Sequence, residues 1–148
     1  MAYTKLMYHI VFSTKQRTPF LEQALLSRLC KYLGGITRVQ DGQMLSAGGA
    51  ADHVHLAIVS SQTKALADLV RIIKANSSRW IHQEFPDLKR FAWQDGYGAF
   101  SVSPSVISEV VRYIESQEAH HRKMSFQEEF TALLVKHGIE FDEKYIWA

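Results

Sequence analysis

Two histidines one residue apart, His53-Val54-His55, lie inside the apolar run His53 to Ser60. Side chains at i and i+2 of a strand project to the same face. Both imidazoles therefore point one way, close enough to grip one metal ion, and Val54 anchors the strand in a core. On a solvated sheet face the same pair would be two unrelated polar residues. Further along, Tyr113 and Gln117 stand four residues apart in a helical pattern. At about 100° per residue they lie about 40° apart and project together. A phenol is an oxygen nucleophile and an amide carbonyl is a metal ligand. Tyr113 could equally be an amphipathic packing residue with its hydroxyl in water. Asp52, just before the histidines, either orients one of them as an outer partner or caps a turn.

The surrounding pattern predicts the elements that must position these groups. Tyr3 to Ser13 alternates, with Leu6, Tyr8, Ile10 and Phe12 on one face, and reads as a strand. Thr18-Pro19 reads as an N-cap with proline at the first helical position. Leu21, Leu25, Leu26, Leu29 and Leu33 follow at helical spacing, and Gly34-Gly35 reads as the stop. A second strand is expected over Gln43 to Gly48 and a third over His53 to Ser60. A helix is expected from Lys64 to Gln83, with Leu66, Leu69, Val70, Ile73, Trp80 and Ile81 as its apolar stripe. A fourth strand fits Gly98 to Val102. Ser103-Pro104 then opens a helix running to His121, with Val106, Ile107, Val110, Val111 and Ile114 on one side. Ser125 to Glu128 forms a capping box for a last helix, closed by His137-Gly138. The tail Ile139 to Trp147 is mixed apolar and charged, suited to docking on a neighbour.

The order β-α-β-β-α-β plus two helices predicts an α+β, ferredoxin-like (split βαβ) antiparallel sheet of strand order 4-1-3-2, with two extra C-terminal helices. The His-Val-His strand is then central. Helices cover the Val54, Leu56 and Ile58 face, and the histidine face is left for chemistry. A chain of 148 residues, 47% hydrophobic and 22% charged, fits one globular domain over 1–148. Net charge +2 permits an anionic partner without demanding one. A single cysteine, Cys30, excludes an intrachain disulfide and suits a reducing compartment. With no membrane-length apolar run or signal-peptide pattern, a cytoplasmic protein with no membrane partner is expected.

His53-Val54-His55, preceded by Ala51-Asp52, resembles the His-hydrophobe-His ("HUH") signature. Tyr113-Ile114-Glu115-Ser116-Gln117 resembles the Tyr-x-x-x-Gln motif of single-tyrosine HUH transposases of the insertion-sequence-200-like group. The likeness continues in Tyr8 to Lys15, in Ser77-Ser78-Arg79-Trp80 and in Trp93 to Tyr97, and spans nearly the whole chain. The resemblance implies a DNA transposase that cuts and rejoins single-stranded DNA at hairpin-bearing mobile-element ends. It implies that His53, His55 and Gln117 hold a divalent ion. It implies that Tyr113 is the nucleophile, joined to the 5′ phosphate and releasing a 3′ hydroxyl. Mg²⁺ is the expected ion, with Mn²⁺ able to substitute, since two imidazoles and an amide oxygen suit manganese. A homodimer is implied too, several relatives placing one subunit's tyrosine helix over the other's histidines.

Other residues are read both ways. His120 could approach the phosphate or metal, or simply end a helix beside His121. Lys5, Lys15, Arg17, Lys64, Arg71, Lys74, Arg79, Arg112, Arg122 and Lys123 bind DNA if clustered, and otherwise form solvated faces. Trp93, Tyr97 and Phe100 could stack on unpaired bases or pack in a core. His9 lies beside the site or is a satisfied core histidine. A non-catalytic ferredoxin-like nucleic-acid-binding module is the rival class, though no RNP1 motif is present. A domesticated relative processing chromosomal hairpin repeats would share the chemistry and differ in its target.

Overall fold

In a computed structural model the described residues are 1–117 and 123–148. Four strands form one antiparallel sheet: β1 (Leu6–Ser13), β2 (Gln43–Ala50), β3 (His53–Ser60) and β4 (Gly98–Val102). Their order is β2-β3-β1-β4, the expected ferredoxin-like arrangement. β1 and β3 are central, with Ile10 opposite Leu56 and Val11 opposite His55.

One sheet face carries Ile10, Phe12, Val54, Leu56 and Ile58, all fully buried. Helices α1 (Gln23–Val39) and α2 (Leu66–Glu84) cover it. Leu25, Leu29, Leu33 and Ile36 of α1, with Leu69, Val70, Ile73 and Ile81 of α2, complete this main core. Leu29 has no exposed surface. Leu29→Ala should therefore lower unfolding free energy by about 2–5 kcal/mol, the usual penalty for a truncated core leucine. An unchanged urea midpoint would contradict that.

The opposite face is covered by α3 (Ile107–Glu115) and α4 (Phe126–Lys136). Val11, Phe100, Phe126, Phe130 and Leu134 form a second cluster there, with Phe141, Ile146 and Trp147 packed against it. The C-terminal segment thus docks on its own chain. The Ala148 carbonyl accepts from Gly96 N at 3.1 Å, and Arg17 lies over the Trp147 ring at 5.3 Å.

Several expected boundaries move. β1 begins at Leu6 rather than Tyr3, because its partner β3 ends at Ser60, opposite Leu6. Thr18-Pro19 is not a cap: Phe20 and Leu21 run on as a linker, Leu21 N donating to Ala51 O, and α1 starts at Gln23. Gly34-Gly35 does not stop α1. Ile36 and Thr37 continue its buried face, and that burial offsets about 1 kcal/mol of propensity lost at each glycine. α2 begins at Leu66 rather than Lys64. Pro104 sits in a turn and α3 starts at Ile107. The expected end of α3 near His121 lies outside the described residues. Ser125 caps α4 as read, its hydroxyl accepting from Glu128 N at 3.2 Å, while the Glu128 carboxylate accepts from that hydroxyl at 3.1 Å.

Candidate active site

Strand alternation puts His53 and His55 on the α3/α4 side of β3, and neither has exposed surface. Both turn Nε2 toward one carboxylate oxygen, Glu129 Oε1, at 3.4 Å from His53 and 2.9 Å from His55. Gln117 brings its carbonyl oxygen to 3.2 Å from His53 Nε2. Its amide nitrogen donates to Glu129 Oε2 at 3.1 Å. The Tyr113 hydroxyl also donates to Glu129 Oε2. All four residues singled out in the sequence therefore meet within one chain, around a glutamate that was not singled out.

Each imidazole is held from behind. The Asp52 carboxylate lies 2.8 Å from His53 Nδ1. A carboxylate only accepts, so His53 carries its proton on Nδ1 and turns the Nε2 lone pair inward. His55 Nδ1 lies 2.8 Å from Nε2 of His9 on β1. Burial, reinforced by the neighbouring His55, holds the His9 pKa down to about 3. His9 is thus neutral and can accept the Nδ1 proton of His55, which turns the second lone pair inward as well. Asp52 is an outer partner rather than a mere turn residue, and His9 belongs to the site.

This donor set fits a divalent cation. His53, His55 and Glu129 each offer a buried ligand atom, all within 4.8 Å of one another. Two imidazole nitrogens and two oxygens converge with their lone pairs, an arrangement that is repulsive unless a cation or proton lies among them. Neighbouring ligands of an octahedral ion with bonds of about 2.1 Å are about 3.0 Å apart, close to the 2.9–3.4 Å separations here. Adding a carboxylate also hardens the set relative to two histidines and an amide, toward Mg²⁺ and Mn²⁺.

Tyr113 is half-buried, its ring 5.7 Å from that of His55. Burial, then the hydrogen bond and charge of Glu129, push its phenol above the usual tyrosine range. A cavity of about 550 Å³ opens beside it between β4, α3 and α4, with Val106, Val110 and Leu133 among its walls.

Glu129 had a legible signal. Phe126, Glu129, Phe130 and Leu133 follow i, i+3, i+4, i+7 spacing, so the glutamate sits on the apolar stripe of α4, only 1% exposed. A charge at a core position requires a partner. Other candidates are placed elsewhere. Phe100 and Trp93 are buried, Trp93 donating to Ser77, so neither presents a stacking face. Lys74 donates to the carbonyls of Gln94, Asp95 and Gly96, and holds that loop. Arg71 pairs with Asp68 at 3.6 Å. His120, His121 and Arg122 lie outside the described residues.

Fold and site together define a class: a ferredoxin-like sheet bearing a candidate divalent-metal centre with a phenol beside it. The family model for IS200-like transposases matches residues 2–117, and the chain belongs to that family. It is similar to the ISDra2 transposase TnpA of Deinococcus radiodurans, 27% identical over 118 residues that cover 76% of this chain and 84% of the relative. A crystal structure of a Deinococcus radiodurans R1 protein assigned as a transposase superposes with a TM-score of 0.66 at 26% identity, covering 78% of this chain and 93% of that one. A REP-associated tyrosine transposase bound to a REP hairpin shares the fold, with a TM-score of 0.61 at 15% identity, covering 82% and 72%. The family match ends at Gln117, so Glu129 comes from beyond it. Among the described residues no helix is long and apolar enough to cross a membrane.

Proposed function

We propose that this transposase domain, spanning 1–148, cleaves and rejoins single-stranded DNA through a covalent 5′-phosphotyrosine at Tyr113. The observation that carries the reading is the convergence of Tyr113, His53, His55 and Gln117 within one chain. The bound divalent ion, Mg²⁺ or Mn²⁺, would neutralise charge developing on the phosphate oxygens. His53, His55, Gln117 and Glu129 are the residues that would hold it. Asp52 and His9 fix the imidazole orientations. The Tyr113 oxygen attacks phosphorus, and the 3′ oxygen departs. The phosphotyrosine ester retains the energy of the broken bond, so rejoining needs no ATP.

Hairpin recognition at element ends follows from the family resemblance, and a protein of the same fold is bound to a REP hairpin. A chromosomal hairpin repeat would serve the same chemistry. A homodimer would present the two tyrosines that exchange between two ends requires. The buried Phe100 and Trp93 give no support to a non-catalytic base-stacking module.

The test is direct. The protein is incubated with a hairpin-bearing single-stranded oligonucleotide, with Mg²⁺ or with chelator, and resolved on a denaturing gel. A metal-dependent covalent adduct is expected; no adduct under any divalent ion would refute the reading.

A glycine sets the approach of the tyrosine helix. A Cβ on Gly48 of β2 would lie 2.6 Å from the Ile114 carbonyl oxygen, so α3 rests directly on the strand backbone. Gly48→Ala should displace α3 and Tyr113 from the histidines. A misplacement of about 1 Å costs about 100-fold in rate, whereas overpacking costs about 1–3 kcal/mol of stability. Adduct formation should therefore fall about 100-fold in a protein that still unfolds cooperatively. Unimpaired adduct formation would show that the contact is dispensable.

A further inference from the structure

We infer that Glu129 is the proton acceptor for Tyr113, one carboxylate oxygen facing the histidines while the other takes the phenol proton as the tyrosine attacks. This rests on Tyr113 being the nucleophile, and it adds a catalytic residue from outside the segment that matches the family model.

A phenol at neutral pH is a weak nucleophile until its proton leaves. An acceptor within reach must therefore take that proton as the bond to phosphorus forms. The Tyr113 hydroxyl already donates to Glu129 Oε2. The orientation of that carboxylate is over-determined. Its Oε1 faces His55 Nε2 at 2.9 Å, on the side where an ion would sit, and its Oε2 also receives the Gln117 amide at 3.1 Å. α4 brings Glu129 in on a helix anchored by Phe126, Phe130 and Leu134, all buried. The two oxygens therefore have different duties, and rotation of the carboxyl would break contacts on both sides.

The step balances. The Tyr113 O–H proton passes to Glu129 Oε2, and the phenol oxygen forms its bond to phosphorus. The bond from phosphorus to the 3′ oxygen breaks with its electron pair on that oxygen, which takes a proton from water. In the rejoining direction a 3′ hydroxyl gives its proton back to solvent as its oxygen bonds to phosphorus. The bond from phosphorus to the phenol oxygen breaks with its electron pair on that oxygen, and protonated Glu129 returns its proton there. One carboxyl thus serves as base and then acid, as microscopic reversibility requires.

The test compares Glu129→Gln with the parent at saturating Mn²⁺, occupancy being followed by the electron paramagnetic resonance of free Mn²⁺. Glutamine keeps the size and one oxygen but cannot accept a proton. Cleavage should fall about 10²–10⁴-fold at matched occupancy, the usual contribution of a positioned base. Replacing Tyr113 by fluorotyrosines of lower phenol pKa should recover much of that loss in E129Q and gain little in the parent. In the metal-free protein, the fluorine resonance of fluorotyrosine at 113 should move when Glu129 becomes glutamine. The parent should show a solvent deuterium isotope effect above one on the cleavage step, a reading independent of whether E129Q folds.

An E129Q rate equal to or above the parent's would overturn the inference and make Glu129 a resting-state latch. Absence of fluorotyrosine rescue, an unmoved fluorine resonance, or an isotope effect of one would each overturn it too. If Tyr113→Phe still forms the adduct, the proposed function itself fails. If Tyr113→Phe is inert while E129Q is fast, only the proton-acceptor role fails.

Discussion

Tyr113→Phe should form no covalent adduct with a hairpin oligonucleotide while still binding it. The substitution removes one oxygen and leaves the ring against His55 and His9, at centroid distances of 5.7 and 6.1 Å. Tyr8, on a central strand, does not replace it: it lies on the α1/α2 side of β1 and packs against the main core. Loss of a nucleophile that acts with its neighbours as a unit costs on the order of 10⁴-fold or more. The stability effect should be small by comparison. Glu129 loses one hydrogen bond, of about 1.5–3 kcal/mol for a charged acceptor, but keeps its contacts to His55 and Gln117. Adduct yield is read on a denaturing gel, affinity by fluorescence anisotropy and stability by thermal melting. Persistence of the adduct would mean that another nucleophile acts.

The second large effect is expected at His53. His53→Ala removes a nitrogen donor and leaves the carboxylates of Glu129 and Asp52 without the imidazole between them. Loss of an outer partner of a metal ligand costs about 10–100-fold in metal affinity. Loss of the ligand itself should exceed that, so Mn²⁺ affinity should fall by more than about 100-fold, with metal-dependent cleavage falling alongside. Asp52→Ala supplies the scale. It keeps the ligand and frees its orientation, and should land within the 10–100-fold range. Titration of Mn²⁺ into each variant measures the affinity, and adduct formation at fixed metal measures the chemistry. Equal affinity in H53A and the parent would remove His53 from the ligand set.

Local pattern carried much of the architecture. It gave β3 its observed ends, His53 and Ser60, and β4 its observed ends, Gly98 and Val102. It also placed both histidines on one face, because pleat geometry depends on no distant residue. The four-residue step from Tyr113 to Gln117 likewise determined that they project together. Boundaries failed where a distant partner decided. The two glycines of α1 remained helical because Ile36 and Thr37 had a sheet to bury against, and β1 stopped where β3 stopped.

The sequence alone thus determined the strand, the helix and the four side chains that each presents, since those follow from backbone period. The meeting of Glu129 with the histidines, and of His9 with His55, was decided by the tertiary structure. Glu129 lies 74 residues beyond His55, and His9 lies 46 residues before it on the neighbouring strand. Pairing register and helix packing set those encounters. Both arise from burial summed over many residues, so no short stretch of sequence encodes them.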